Sequence, residues 1–408
     1  MVDRQQDLGK VPDQSPVRLS LTDTANRDFS VSVSIVGGLD KSPFKEHTSL
    51  KISRRLARAG RPTIASPDYY LGIARQREPW SRNDVYEGVA LLQAEMGETS
   101  AALLTAELTY GFSWFYTDLA RIVARHGDDP QPIFDRVHSR LRVDSSSTGE
   151  VRGAGHALEV QRELGLPAPK LLIDRFRVRD GNRDDYSNSY NLELAEAYAR
   201  AGYPADALDV WQLIRDKGYY QGAEVLSVIA ISQGRNGIDP RETVASAIQL
   251  AEALKGDENV GPGWKQGEIY ANLGRAYALY DLDPQPLIDR ALEKASSEPS
   301  NLKINTYIEI AKAQVSFGGD GKPAITLALH WADDILKPGE KDGGYGEPIQ
   351  QLYWEDIFHT QLEAGHFDEA RETLRRLDRY SELDILAYKA ELLAELASAQ
   401  ILNSLIAA

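Results

Sequence analysis

The stretch YTDLARIVARHGDDPQPIFDR (residues 116–136) aligns without a gap on YANLGRAYALYDLDPQPLIDR (residues 270–290), at an offset of 154 residues. Turn residues recur between these segments and on both sides of them, at spacings of 30 to 47 residues. They are Gly60, Gly97, Gly127, Gly165, Gly202, Gly237, Asp281, Gly318 and Gly365. A repeat with a period near 38 residues is typical of stacked helical hairpins, because one hairpin cannot bury its apolar face alone.

An eight-residue pattern recurs within the repeats: an aromatic residue, an aliphatic residue three positions later, then a small residue, and Tyr, Gln or Val at the end. It occurs as YEGVALLQ from Tyr86, YTDLARIV from Tyr116, YANLGRAY from Tyr270, YIEIAKAQ from Tyr307 and WEDIFHTQ from Trp354. NLELAEAY from Asn191 also fits, with its aromatic residue, Tyr190, displaced by one position. These positions share one face of a helix. Small residues such as Ala120 and Gly274 predict a close approach by the second helix of the hairpin.

The ends of the predicted helices carry recognisable signals. Glycine after the apolar stripe predicts a left-handed residue that ends the first helix. Asp-Pro pairs at residues 129–130, 239–240 and 283–284 predict an N-cap and a first-turn proline for the next helix.

The pattern resembles the tetratricopeptide repeat, whose first helix reads W-x2-L-G-x2-Y and whose second helix begins around an Ala. Ala102, Ala207 and Ala370 stand in that second position. The chain departs from the family where Pro132, Pro286 and Pro323 replace this Ala, and its period exceeds 34 residues. The resemblance covers about residues 80–380 and implies an all-α superhelix, a solenoid of hairpins.

Three domains are predicted. Residues 1–44 form a tail and a β-hairpin, because VRLSL (17–21) and FSVSVSIV (29–36) alternate apolar and polar residues. Residues 45–380 form the solenoid. Residues 381–408 form a C-terminal capping helix that ends in the apolar ILNSLIAA, which either folds back on the array or makes a homodimer contact.

Composition excludes several classes of protein. The chain has 408 residues, a net charge of -15 and no cysteine, so disulfides, thiolate metal sites and cysteine nucleophiles are excluded. No apolar run approaches the length of a membrane span. The acidic charge disfavours nucleic acid and favours a basic partner. A local basic segment, residues 45–61, would form a solvated face of the first repeat, or contact an acidic partner or the acidic body of its own chain.

No sequence motif indicates a cofactor, a metal site or a catalytic residue set. The first sixteen residues lack the apolar stretch of a secretory signal, which predicts a cytoplasmic protein. An exported location would follow if a signal peptide had been removed ahead of Met1.

The segments that join one hairpin to the next are rich in aromatic and amide side chains, which suit the recognition of peptides or sugars. The alternative is that each aromatic ring only packs its own loop. The predicted binding residues are Tyr186, Asn191, Tyr219, Tyr220, Trp264, Lys265, Tyr345 and Tyr353.

Three functions are compatible with these features. The resemblance implies a non-catalytic scaffold that binds a protein or peptide in its concave groove. An enzyme on a helical-hairpin toroid would use carboxylates such as Glu224, Glu268 and Glu347 on a glycan. RNA binding is the third, because residues 190–218 also resemble one pentatricopeptide repeat.

Overall fold

The computed structural model describes residues 15–39, 45–110, 113–141, 148–177, 186–214, 220–253, 265–298, 300–335, 349–377 and 383–406. Within these ranges it contains twenty α-helices and no strand, which confirms the all-α fold class. The helices fall into two compact units. The chain leaves the first unit after Glu98, forms the second from Thr99 to His366, and returns to the first at Phe367.

The predicted N-terminal hairpin is wrong, because one helix, α1 (Ser15–Gly38), covers both expected strands. Buried Phe29, Ser32 and Val36 recur at the spacing of a helical face, whereas Val33 is 40% exposed. A strand would have placed Phe29 and Val36 on opposite sides. Packing against a distant helix therefore overrides the strand preference of the valines.

The first unit combines helices from both parts of the chain. They are α1, α2 (Lys45–Arg58), α3 (Pro67–Gln76), α4 (Pro79–Glu95), α19 (Phe367–Arg376) and α20 (Leu383–Ile406). The predicted C-terminal helix is thus present as α20, and it packs on α1, α2 and α19. Phe29 and Val36 of α1 share an apolar core with Ala394 and Ala397 of α20 and Ile52 of α2. The predicted homodimer through residues 381–408 stays a prediction.

Ion pairs add to this core. Lys51 and Arg55 of α2 bind Glu391 and Glu395 of α20 at 2.8 and 2.7 Å. The basic segment of the sequence therefore contacts the acidic body of its own chain.

The second unit alternates two kinds of helix. It begins with α5 (Thr99–Ala106). The first helices of its hairpins are α6 (Ser113–Arg125), α8 (Thr148–Glu163), α10 (Tyr186–Arg200), α12 (Tyr220–Arg235), α14 (Gln266–Leu279), α16 (Ser300–Ser316) and α18 (Ile349–Glu363). The second helices are α7 (Gln131–Arg140), α9 (Leu171–Arg177), α11 (Pro204–Gln212), α13 (Arg241–Ala253), α15 (Gln285–Ser297) and α17 (Lys322–Ile335). From α6 to α16, each first helix contacts its own second helix and the next first helix, an arrangement compatible with a helical repeat.

The predicted turn residues all end helices as expected. All nine have a positive φ, between 57° and 87°. At Gly202, with φ 83°, the amide of the next residue, Tyr203, donates to the carbonyl of Tyr198 at 2.8 Å and closes the end of α10. This six-to-one hydrogen bond satisfies a carbonyl that the helix would otherwise leave without a donor.

The Asp-Pro pairs also act at helix starts, with the proline one position earlier than expected. The carboxylates of Asp129, Asp239 and Asp283 each accept a hydrogen bond, at 2.9 to 3.0 Å, from the amide two residues later. Pro130 and Pro284 occupy the N-cap positions of α7 and α15 rather than the first turn.

Hairpins 154 residues apart share a contact between their two helices. Arg140 of α7 lies 5.0 Å from the ring centre of Tyr116 on α6, and Lys294 of α15 lies 5.9 Å from that of Tyr270 on α14. In both hairpins, the charged group of a residue lies over the ring of the tyrosine that stands 24 residues earlier in the chain. The repeated contact supports the alignment of the two sequence segments.

Small residues allow neighbouring helices to approach closely. A Cβ atom built on Gly155 of α8 would lie 2.7 Å from the Cα of Ala197 on α10. One built on Gly234 of α12 would lie 2.6 Å from the carbonyl oxygen of Ala276 on α14. At Gly274 the nearest atom belongs to Ile288 of α15, at 3.2 Å, in agreement with the predicted approach of the second helix.

We expect Gly234→Ala to lower the free energy of unfolding by about 1–3 kcal/mol, because the new methyl group meets a backbone oxygen that cannot move aside alone. Denaturant unfolding followed by helical circular dichroism measures this. Gly72→Ala in α3 is the matched control, since no atom lies within 4 Å of its built Cβ. The control should gain up to about 1 kcal/mol from helix propensity. Equal or greater stability of Gly234→Ala would contradict the proposed close contact.

Candidate functional site

Charged and polar side chains line one face of successive first helices of the second unit, beside the buried apolar stripe. We call this face the first-helix stripe. Its members are Trp114, Arg121, Arg152, His156, Glu159, Glu163, Glu193, Arg200, Glu224, Arg235, Glu268, Arg275, Glu309, Lys312 and Asp356. Most are half-buried or exposed. Contacts between several of them link neighbouring helices.

At the α6 to α10 end, the links are a ring contact and two ion pairs. The exposed indole of Trp114 on α6 stacks on the ring of His156 on α8, with centres 4.4 Å apart. Arg121 of α6 binds Glu163 of α8 at 2.8 Å. Arg152 of α8 pairs with Glu193 of α10 through both carboxylate oxygens. The stripe is therefore continuous across three helices.

At the start of α14, one lysine stands between two carboxylates. Lys265, the residue just before the helix, has a left-handed backbone with φ 46°. Its ammonium nitrogen lies 2.9 Å from a carboxylate oxygen of Glu224 on α12 and 3.9 Å from one of Glu268 on α14. A left-handed conformation costs free energy in a residue other than glycine, so the surrounding structure must hold Lys265 there.

The carboxyl group of Glu268 keeps its proton to an unusually high pH. Burial raises the pKa of Glu268 to about 7, and the carboxyl groups of Glu309 and Glu224 act in the same direction. Lys265 lowers this pKa but does not offset the burial. Glu268 is therefore about half protonated near neutral pH.

A buried carboxylate anchors the first turn of α14. Glu298, only 4% exposed, accepts hydrogen bonds from the amide of Gly267 at 2.9 Å and from the hydroxyl of Thr306 at 2.6 Å. The side-chain amide of Gln266 donates to the carbonyl oxygen of Ala251 at 2.8 Å. These bonds hold the backbone that carries Glu268.

Two arginines lie beside a close backbone contact between α12 and α14. Gly234 and Ala276 make the backbone contact, and the adjacent residues Arg235 and Arg275 lie beside it. Burial lowers the pKa of Arg275, and the charge of Arg235 lowers it further. Arg235 lies 3.7 Å from Glu159, whereas Arg275 has no hydrogen bond or ion pair within the described residues.

Acidic and basic members of the stripe occupy different levels of the helices. From α10 to α16, each first helix carries a glutamate before an arginine or lysine in its sequence. The acidic row is Glu193, Glu224, Glu268 and Glu309, and the basic row is Arg200, Arg235, Arg275 and Lys312. Because Glu224 lies beside the start of α14 and Arg235 beside its later turns, α12 and α14 run in the same direction.

The predicted binding residues are only partly on this face. Lys265 binds Glu224 of the stripe, and Asn191 and Tyr353 are half-buried in α10 and α18. Tyr186 and Tyr220 begin α10 and α12. Tyr219, Trp264, Tyr345 and the candidate acid Glu347 lie outside the described residues. Their role in binding stays a prediction.

Sequence reasoning missed Arg235, Arg275 and Glu309, although a signal for the last two was present. The third and sixth positions of the eight-residue pattern vary, and they hold Glu309 and Lys312 in α16 and Asp118 and Arg121 in α6. Charged residues at these two positions lie beside the apolar stripe. They mark the first-helix stripe in the sequence.

The described residues offer neither a membrane-spanning helix nor a cluster of metal ligands. Within them, no helix is long and apolar enough to cross a bilayer, and no group of three or more His, Asp or Glu side chains could hold a metal ion. The sequence matches no protein-family model and is not significantly similar to any curated protein.

We expect Glu268 to make the protein less stable as the pH rises from 4.5 to about 7. In this pH range the folded state keeps a proton on Glu268 that the unfolded state has released. Above about pH 7 both states are ionised, and the free energy of unfolding is about 2–3 kcal/mol lower than it would be with an ordinary carboxyl group. Glu268→Gln should remove this effect. Between pH 5 and pH 8, the free energy of unfolding of this variant should fall by about 2–3 kcal/mol less than that of the wild type.

Denaturant unfolding at both pH values measures the difference. Glu293→Gln, an exposed carboxylate on α15, is the matched control and should follow the wild type. Parallel pH profiles for the wild type and Glu268→Gln would show that Glu268 titrates as an ordinary carboxyl group.

Proposed function

We propose that the second unit is a tetratricopeptide-like α-solenoid that binds a protein or peptide partner along the first-helix stripe, without catalysis. The observation that carries this proposal is the stripe itself: partly exposed charged side chains on seven successive first helices, with contacts that link α6 to α8, α8 to α10 and α12 to the start of α14. The repeated sequence pattern and the alternating helix contacts support the architecture.

The spacing of the stripe suits a polypeptide. Packed helices lie about 8–10 Å apart, which is close to three residues of extended chain. A peptide crossing the first helices would therefore meet a new set of charged groups about every third residue. Small ligands would use only one of these sets.

The net charge of the chain favours a basic partner. The acidic row presents four glutamates, and the whole chain carries a net charge of -15. Such a field attracts basic segments and speeds their association at low salt. The same field opposes nucleic acid.

Selection from a displayed library of random 12-residue peptides tests this proposal. The wild type should enrich peptides rich in Lys and Arg, and fluorescence polarisation should show that their affinity falls with salt. The triple variant Glu193→Gln, Glu224→Gln, Glu309→Gln should bind them about tenfold or more weakly, because each removed charge lies under the peptide.

The triple variant Glu242→Gln, Asp289→Asn, Glu293→Gln is the matched control. It removes the same charge from exposed positions on the second helices α13 and α15, so it tests the position of the charge rather than its amount. Equal losses in both variants, or no enriched peptide at all, would refute binding along the stripe.

One observation favours an enzyme as a second candidate function. Glu268, with a pKa of about 7, could exchange protons at neutral pH, and the carboxylate of Glu224 lies beside the same lysine. A carboxylic acid next to a carboxylate is the arrangement of many glycoside hydrolases.

Release of reducing sugar from a panel of soluble polysaccharides tests this candidate. An enzyme of this kind should release sugar from at least one member and lose about 100-fold or more of its rate in Glu268→Gln. Glu293→Gln should keep full activity. If the wild type released no reducing sugar from any polysaccharide of the panel, hydrolysis of these glycans would be excluded.

A further inference from the structure

Within the described residues, two groups of opposite charge on helix α14 have no hydrogen-bond partner. Glu268 makes no hydrogen bond within the described residues and lies 3.9 Å from Lys265, whose ammonium group binds Glu224 at 2.9 Å instead. Arg275 has neither a hydrogen bond nor an ion pair in the same part of the chain. Half-buried charges normally have partners. Glu268 and Arg275 therefore suggest a ligand that supplies a charged partner for each of them.

The two groups lie on one face of the helix. Seven residues are close to two full turns, so Glu268 and Arg275 point to the same side, about 10.5 Å apart along the helix axis. A ligand that meets both needs a cationic group and an anionic group at a similar separation.

The neighbours of each group determine which charge the ligand must carry there. Around Glu268, the carboxyl groups of Glu224, Glu298 and Glu309 act against Lys265. This end of α14 attracts a cation. Around Arg275, the charge of Arg235 on α12 is repulsive, and an anion placed between the two guanidinium groups relieves this repulsion.

The anion is better a carboxylate than a phosphate. The carboxylates of Glu309 and Glu363 also act on Arg275, and a doubly charged phosphate would be repelled more strongly than a singly charged carboxylate. A guanidinium group donates two parallel hydrogen bonds to the oxygens of a carboxylate. An Asp or Glu side chain therefore satisfies Arg275.

We propose that α14 binds a peptide segment in which a Lys or Arg and an Asp or Glu stand three positions apart, the cation at Glu268 and the carboxylate at Arg275. This inference rests on the proposed peptide-binding function and deepens it, because it specifies a mixed-charge pattern at one site within a partner that is basic overall.

The spacing of three follows from backbone geometry. A polyproline II segment has three residues per turn and rises 3.1 Å per residue, so positions i and i+3 lie on the same side, about 9 Å apart. Long side chains cover the remaining distance to about 10.5 Å. Positions i and i+2 point to different sides of such a segment and cannot reach both groups.

The probes are short fluorescein-labelled peptides with a blocked C-terminus and the core Lys-Pro-Pro-Glu between Gly-Ser flanks. Two variants replace the Lys or the Glu by Gln, and a third shortens the spacing to Lys-Pro-Glu. Fluorescence polarisation measures their affinity for the full chain. We expect the parent peptide to bind about tenfold more tightly than each of the three variants.

A double-mutant cycle tests the contact with Arg275. Arg275→Gln should weaken the parent peptide about tenfold and leave the affinity of the Lys-Pro-Pro-Gln peptide unchanged. Glu268→Gln should give the corresponding result with the Gln-Pro-Pro-Glu peptide. Arg241→Gln and Glu242→Gln, exposed positions on α13, are the matched controls and should bind all peptides as the wild type does.

Circular dichroism confirms that the variants are folded. Equal weakening of the parent and the Gln peptides by Arg275→Gln, or equal binding of the two spacings, would overturn the inference. If selected basic peptides bind the stripe but the mixed-charge peptide does not bind better than its variants, the inference fails and the proposed function stands. If no peptide binds, both fail.

Discussion

The close approach of successive first helices is the constraint on which the second unit depends. Gly155 against Ala197 and Gly234 against Ala276 bring helix backbones together at distances that a single added methyl group would violate. Side chains beside these contacts are forced into proximity. The density of charge along the first-helix stripe is therefore a consequence of glycine and alanine at the helix contacts.

Bringing these charged side chains close together and partly burying them costs free energy. Ion pairs offset this cost at some positions of the stripe and not at others. Arg152 and Glu193, or Arg121 and Glu163, compensate each other across neighbouring helices. Glu268 reduces its cost by holding a proton, because burial raises its pKa to about 7. Arg275 has no such means, since a guanidinium group stays protonated. Uncompensated polar groups in an otherwise consistent fold are typical of functional sites.

Local signals were readable from the sequence, and distant contacts were not. Left-handed residues such as Gly202 and helix starts such as Asp129 depend on a few neighbouring residues, and the structure confirms them. The alternating residues of α1 predicted strands because their partner, α20, lies more than 340 residues away along the chain. Glu224 and Glu268 were candidates from the sequence, but Arg235, Arg275 and Glu309 were not, because their half-burial depends on contacts between helices that are far apart in sequence.

The packing of α1 and α2 against α20 has a consequence for biosynthesis. Residue 98 leaves the ribosome long before residue 383 is made, and at 5–20 residues per second the interval is about 15 to 60 s. During this time Phe29, Ile52 and their neighbours lack the apolar surface that covers them in the finished chain. The second unit can fold within the same interval, since all its helices are synthesised in between. The earliest helices to emerge are thus among the last to be buried, and they are the natural substrates of chaperones.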